Sequence, residues 1–302
     1  MPQILPQNPV ALRLIQPNAE QEKKWDPRYS PVYFRRQLEL SAEPAKTPRD
    51  LVIWPEAAVT LWLGQAPKIQ KLITEAAGPN AQAIIGIRRF EGARIYNSMA
   101  VLGQDGRARE VYDKTHLVPF GEYVPFGSFL SKFGIYGLAA EDGAGFSAGK
   151  NTGKNRRLLD LGKLGQVLPL ICYESIFPNM VHTDGPRPDW ILQITNDAWF
   201  GKIAGPQQHL AQARVRAVEQ GLPFIRVANT GISAVIDPNG RILAQLSMGV
   251  AGKLDADLPG HFAPTFYSRT GDWLMFALLL GAAGLLGGVL RVRRFKKMRE
   301  IF

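Results

Sequence analysis

Strand-length apolar runs recur along this chain, separated by helical stretches in its first half and by turn signals in its second. Few folds accept that order: strands alternating with helices early, and hairpins late, make a mixed α/β sandwich. Residues 9–15, 51–54, 83–87, 158–161, 166–171, 190–195, 224–228 and 232–236 read as strands. Helices are predicted over 31–43, 67–77 and 207–220, the second with Ile69, Leu72, Ile73 and Ala76 on one face. Asp105-Gly106 signals a hairpin between 98–102 and 108–112, and Asp237-Pro-Asn-Gly240 turns the chain into 241–246. No repeat, low-complexity tract or internal linker interrupts the pattern. The length of 302 residues is ample for a sizeable core.

Three of these strands end in reactive side chains. The run 51–54 is closed by Pro55 and delivers Glu56. The strand ending near Tyr112 delivers Lys114, and a Pro/Gly-rich loop with a second carboxylate, Glu122, follows. The run 166–171 delivers Cys172, with Glu174 two residues on. In open α/β sheets, sites form at that edge. Cys172 is the only cysteine, so it has no internal disulfide partner. Alone it reads either as a nucleophile or as a small buried hydrophobe. Glu56 and Lys114 favour the first reading, because a thiol needs a base to become a thiolate. A carbonyl under attack also needs a donor for its developing oxyanion.

Other sites are weaker. His116, close to Lys114, raises a Cys–His arrangement, but such an enzyme needs no lysine, and His116 is read as structural. His209 is read as a hydrogen-bonded residue near a helix start, His182 and His261 as solvated loop residues. No His, Cys and Asp spacing suggests a metal site, and no glycine-rich phosphate loop precedes a helix.

The net charge of +10 invites a nucleic-acid reading, but six basic residues sit after Leu290, where only Glu300 opposes them. The rest is spread thinly, and no nucleic-acid motif is present. The tail has a better explanation in residues 274–290, which carry no charge and span about 25 Å as a helix, the short end of a membrane span. Trp273 stands at one end and the arginines at the other. A buried core helix of the same length is the alternative. Gly281, Gly284, Gly287 and Gly288 suit close helix contact. The positive-inside rule places the tail in the cytoplasm and the preceding domain on the opposite side. The first residues have no basic n-region or apolar h-region of a signal peptide.

Residues 115–155 form a long loop rich in aromatics, among them Phe120, Tyr123, Phe126, Phe129, Phe133 and Tyr136. It reads either as a lid for acyl chains or bilayer, or as a loop folded onto its own core. Trp62, shortly after Glu56, offers a second apolar arm.

The segments Asp113 to Pro125, Ile171-Cys172-Tyr173-Glu174, Thr195-Asn196-Asp197-Ala198-Trp199-Phe200-Gly201, and His209 to Glu219 running into Arg226 to Ser233 resemble the apolipoprotein N-acyltransferase branch of the nitrilase superfamily. The resemblance covers roughly residues 9–290. It implies a nitrilase-like α-β-β-α sandwich over 9–268, after an extension 1–8 and before a transmembrane helix 273–290 and a basic cytoplasmic tail 291–302. It implies Glu56 as general base, Lys114 as oxyanion stabiliser and Cys172 as nucleophile, with Glu122, Tyr173, Glu174, Trp62 and Asn196 in substrate-binding or supporting places. The implied activity moves a fatty acyl chain from membrane phospholipid, through an S-acyl-cysteine, to the diacylglyceryl-cysteine of an apolipoprotein, with no cofactor and no nucleic acid. The implied location is the bacterial inner membrane, with the domain on the periplasmic side. The family carries a bundle of transmembrane helices before this domain, so a fragment, a split gene or a misassigned start is expected, with a separate bundle as partner. The competing readings are a nitrilase-like amidase cleaving a small C–N bond, and an inactive remnant.

Overall fold

A computed structural model describes residues 4, 9–123, 145–150, 158–182, 185–201 and 203–299. Two mixed sheets face each other. In the first, β1 (Ala11–Gln16), β2 (Leu51–Ile53) and β4 (Gln82–Glu91) run parallel at the centre. β13 (Gly252–Asp257) closes one edge, antiparallel to β1. On the other side β5 (Arg94–Leu102) and β6 (Ala108–Asp113) follow as an antiparallel meander, and the short β3 (Val59–Trp62) pairs with β4. The second sheet has β8 (Gln166–Ile171), β9 (Trp190–Thr195) and β10 (Phe224–Ala228) parallel at its centre. β7 (Leu159–Asp160) flanks it on one side, β11 (Ser233–Ile236) and β12 (Ile242–Leu246) on the other.

The period-2 alternation of strand side chains divides the apolar residues into layers. Leu12, Leu14, Leu51 and Ile53 point inward and meet Val167, Ile171, Leu192 and Ile225 of the facing sheet. Val52, Trp54, Ala83 and Ile85 point outward and are covered by Phe34 and Leu38 of α1 (Ser30–Ala42) and by Ile73 and Ala77 of α2 (Pro67–Ala77). Leu168, Leu170, Ile191 and Phe224 point outward from the second sheet, under Leu210, Ala213 and Ala217 of α3 (Gly205–Gln220). Helix, sheet, sheet, helix is the expected α-β-β-α sandwich. Each central strand is buried on both faces, which is why these runs are continuously apolar.

The missed elements lacked that signal. β13 alternates with Lys253, Asp255 and Asp257, and an ion pair from the buried Arg13 to Asp255 at 2.7 Å helps hold it in place. β4 and β5 extend past the apolar core through Arg88, Arg89 and Arg94, where Arg89 pairs with Asp113. The extension 1–8 is not wholly apart, since Ile4 and His261 exchange backbone hydrogen bonds. His261 is thereby half-buried and ordered, not freely solvated as expected, and Arg187 reaches its Nδ1 at 3.3 Å.

A short helix α4 (Phe266–Thr270) leads into α5 (Trp273–Arg299). Within it, Trp273–Arg291 is long and apolar enough to cross a membrane, and none of it is buried by the rest of the protein. It is no part of the core formed by the described residues. The helix also runs past Leu290 into the basic tail, because lysine and arginine are good helix formers and no glycine or proline follows Gly288. Leu279 and Leu285 lie near the middle of the span and are exposed. A doubly substituted Leu279→Arg, Leu285→Arg chain, at about 2.5–3.5 kcal/mol for each mid-membrane arginine, is expected to leave vesicles in a flotation assay that retains the parent chain.

Candidate active site

β2, β4 and β6 point the same way, so the ends of β2 and β6 deliver Glu56 and Lys114 to one edge of the first sheet. The end of β8 delivers Cys172 from the second sheet. Lys114 is 1% exposed. Its Nζ donates to Glu122 Oε1 at 2.9 Å and to Glu56 Oε1 at 3.4 Å. Asn97, at the heart of β5, donates through Nδ2 to the same two oxygens, at 2.8 Å to Glu56 and 3.3 Å to Glu122. Glu56 Oε2 accepts the Asn196 backbone N–H at 2.8 Å, a bond from the second sheet across to the first. Glu122 Oε2 accepts the Val118 N–H at 2.9 Å, which folds the start of the long loop back over the lysine. Both Glu56 oxygens are thus committed on one side, and the carboxylate is aimed.

Burial alone would lower the Lys114 ammonium, but Glu56, Glu122 and the Cys172 sulfur outweigh it and hold the group above its ordinary range. Burial pushes the Cys172 thiol well up, and the Glu56 charge adds to this, while Lys114 and a hydrogen bond with Thr195 pull it down. The resting sulfur is therefore a thiol, one that senses both Glu56 and Lys114. A thiol in this state can act as a nucleophile only with a base at hand, unlike a cysteine already present as thiolate.

Cys172 opens a 3₁₀ turn, Cys172–Ile176, with φ at +50°, in the left-handed region. For a non-glycine residue this costs about 1–3 kcal/mol and persists only where the surroundings fix it. Glu174 fixes one side. Fully buried, it accepts from the Ile171 N–H at 2.8 Å, the Thr115 N–H and hydroxyl at 2.8 Å each, the His116 N–H at 3.1 Å and the Tyr112 hydroxyl at 2.8 Å. It pins the cysteine turn to the loop that follows Lys114. Glu174 is accordingly a tie between two halves of the site. The carbonyl of Cys172 is held from below by Gln193 and His209, which belong to a buried cluster with Asp197 and Arg226.

Of the remaining expected residues, Asn196 is in the site, through its backbone N–H and through side-chain bonds to Gln21 and Asn229. Tyr173 is partly exposed beside Cys172, its ring 5.0 Å from Phe177 and 5.8 Å from His116. His116 is an exposed ring in that aromatic group, 4.2 Å from Phe177. Trp62 stacks on Phe90 at 3.8 Å, with the Arg88 guanidinium over its ring at 4.4 Å and over Trp25 at 4.1 Å. Most of the proposed lid, including Phe126, Phe129, Phe133 and Tyr136, lies outside the described residues.

Sequence reading missed Asn97, Gln193, Lys24 and Gly86. Gln193 had a signal, as a polar residue in an otherwise apolar buried strand. Lys24 had none: its Nζ, buried, reaches the Glu56 carbonyl at 3.1 Å, and burial, with Arg88 nearby, lowers it to about 8 against the pull of Glu56. Gly86 in β4 lies directly under Glu56. A Cβ there would sit 2.3 Å from the Pro55 carbonyl and 2.7 Å from Glu56 Cα. Among the described residues, no cluster of His, Cys, Asp and Glu is arranged to hold a metal ion.

This sandwich, with a buried thiol at one strand end and a Glu–Lys pair at two others, defines a nitrilase-like α/β protein. Residues 11–261 match the carbon-nitrogen hydrolase family, and the chain belongs to that family. It is similar to the apolipoprotein N-acyltransferase of Rhodopseudomonas palustris, 43% identical over 276 residues, covering 87% of this chain and 51% of that protein. It is equally similar to the apolipoprotein N-acyltransferase of Bradyrhizobium diazoefficiens, 43% identical over 296 residues, covering 94% of this chain and 54% of that protein. The chain thus spans about half the length of the curated relatives it matches. Among solved structures, an amidase from Nesterenkonia sp. superposes with a TM-score of 0.61 at 18% identity, covering 89% of this chain and 96% of the amidase. A CN-hydrolase superfamily protein from Xanthomonas campestris gives 0.58 at 19% identity, covering 91% of this chain and 97% of that one.

Two outcomes are expected from this geometry. Gly86→Ala must push the Glu56 segment away from its partners, at about 1–3 kcal/mol in urea unfolding, with a larger loss of activity than of stability. Alkylation of Cys172 by iodoacetamide, followed by intact mass, should show no inflection near the usual thiol value of about 8.5, because the thiol titrates well above it.

Proposed function

We propose that this chain carries the catalytic part of an N-acyltransferase that takes a fatty acyl group from a membrane phospholipid. The observation that carries the reading is the buried Lys114, bonded to Glu56 and Glu122, next to the only thiol of the chain. The names of its relatives favour acyl transfer to an apolipoprotein, and α5 would keep the domain at the lipid surface.

In the first half-reaction Glu56 takes the proton of Cys172 as sulfur attacks the ester carbonyl. Lys114 Nζ and a backbone N–H beside Cys172 hold the oxyanion. The ester C–O bond breaks, the lysophospholipid alcohol leaves with the proton from Glu56, and an S-acyl enzyme remains. In the second half the α-amino group of a diacylglyceryl-cysteine attacks the thioester, Glu56 takes its proton, and the C–S bond breaks to return the thiol. Glu122 and Asn97 hold the lysine, Asn196 aims the base, and Glu174 ties the nucleophile's turn. Tyr173 and Trp62 are the described aromatics proposed to meet substrate. The setting is the bacterial inner membrane, with the domain on the periplasmic side and the basic tail in the cytoplasm.

A small-amide hydrolase would share these residues and the fold of the Nesterenkonia amidase. The apolar helix favours the lipid reading. Transfer of a labelled acyl chain from phospholipid vesicles to a diacylglyceryl-cysteine peptide tests it, with acetamide release as the contrasting assay. Lys114→Met is expected to lower transfer by about 10²–10³-fold, the effect of losing one oxyanion donor. Glu56→Gln is expected to lower it by about 10²–10⁴-fold. Ammonia release from acetamide without acyl transfer would contradict the reading.

A further inference from the structure

We propose that His209 is a positioning residue that aims Cys172 from beneath, by fixing the carbonyl of the nucleophile's own strained backbone. This rests on Cys172 being the nucleophile, and not on the identity of the acyl donor.

The carbonyl oxygen of Cys172 faces three polar side chains: Gln193 Nε2 at 2.9 Å, His209 Nε2 at 3.1 Å and Ser175 Oγ at 3.3 Å. Gln193 comes from the centre of β9, His209 from the first turns of α3, and Ser175 from the cysteine's own turn. They are also bonded to one another, Gln193 Nε2 to Ser175 Oγ at 2.6 Å and His209 Nε2 to Ser175 Oγ at 3.0 Å. Gln193 donates to this carbonyl, and His209 joins it in the tautomer that carries the proton on Nε2, with Nδ1 accepting from Arg226 and Gln193 Nε2 2.9 Å from the His209 Nε2. Since φ of Cys172 is +50°, the clamp is what keeps the residue from relaxing to an ordinary right-handed or extended conformation, either of which would swing Sγ away.

The imidazole is itself held. Its Nδ1 faces Asp197 Oδ1 at 3.0 Å and Arg226 Nη2 at 3.2 Å, and its ring lies edge-on to Phe200 at 5.3 Å. Asp197 accepts from Arg226 on its other oxygen and from the Thr195 hydroxyl at 3.0 Å. Arg226 continues to Gln193 Oε1 and closes the ring of contacts. Space for Asp197 exists because position 231 is glycine: a Cβ there would stand 2.0 Å from Asp197 Oδ2. The groups that face the histidine with charge are Asp197 and Arg226. Asp197, Arg226, Gln193 and Ser175 are at most 1% exposed, and His209 is 4% exposed. An apolar filling would stabilise this volume at least as well, so such a network under a nucleophile points to geometry as its purpose. Cys172 meets the cluster through its carbonyl, and its thiol meets it through Thr195, whose hydroxyl donates to Asp197.

Because Cys172 is the only thiol, its reactivity can be read without ambiguity. The full chain in vesicles is labelled with carbonyl-¹³C cysteine, which gives one resonance, and is alkylated with iodoacetamide as wild type, His209→Gln and His209→Asn. Gln can restore a polar atom near Nε2, whereas Asn reaches only as far as Nδ1. The expected order of alkylation rates is wild type, then Gln, then Asn, with Asn at least about tenfold slow, a shifted carbonyl resonance, and acyl transfer falling in kcat with KM unchanged. Should His209→Asn not fold, Ser175→Ala removes a smaller part of the same clamp and should slow alkylation about threefold. Folded variants that shift the carbonyl resonance yet alkylate at the wild-type rate would overturn the proposal. A His209-dependent alkylation rate in a chain that transfers no acyl group would uphold it while removing the lipid reading.

Discussion

An ammonium almost out of reach of water, bonded to two carboxylates, is the constraint on which this structure turns. Removing such charges from water costs several kcal/mol per ion, and their attraction offsets that only when every partner is in place. Here the partners come from across the fold: Glu56 after β2, Asn97 from β5, Lys114 after β6, Glu122 from the loop beyond, and Asn196 after β9. The two sheets must therefore meet in one register for the lysine to be tolerated. Forming the sandwich and assembling the site are the same event. In the proposed reaction the same cation receives the charge of the oxyanion.

Cys172 is treated differently. Its sulfur is buried near two charges of opposite sign, and burial with Glu56 dominates, so it rests as a thiol. Its backbone, by contrast, is held on every side, by Glu174 through the Ile171 N–H and by Gln193, Ser175 and His209 through the carbonyl. Reactivity then depends on aim and on a nearby base more than on a standing thiolate.

Much of this was legible in the residues. The apolar runs that became β8, β9 and β10 matched the structure end for end, because strands buried on both faces are continuously apolar and turn residues bound them. The placing of Glu56, Lys114 and Cys172 at strand ends followed from the same runs. β13 was not legible, since Lys253, Asp255 and Asp257 on an edge strand look like loop, and neither was the length of the β4–β5 hairpin, whose arginines are satisfied by ion pairs and ring contacts distant in sequence. The clamp under Cys172 was half-visible. His209, Asp197 and Arg226 all stood in segments singled out by resemblance, yet nothing local says that a histidine 37 residues after the cysteine holds its carbonyl. Such contacts are created by topology, as is the need for glycine at 86 and 231.

The central claim is that Cys172 becomes acylated by lipid. Intact-protein mass spectrometry after incubation with phospholipid vesicles, beside a Cys172→Ser control, tests it directly. The account predicts a fatty-acyl mass increment that hydroxylamine removes and that the control lacks. An increment that persists in the Cys172→Ser chain, or folded protein embedded in vesicles that gains no acyl mass, would contradict it.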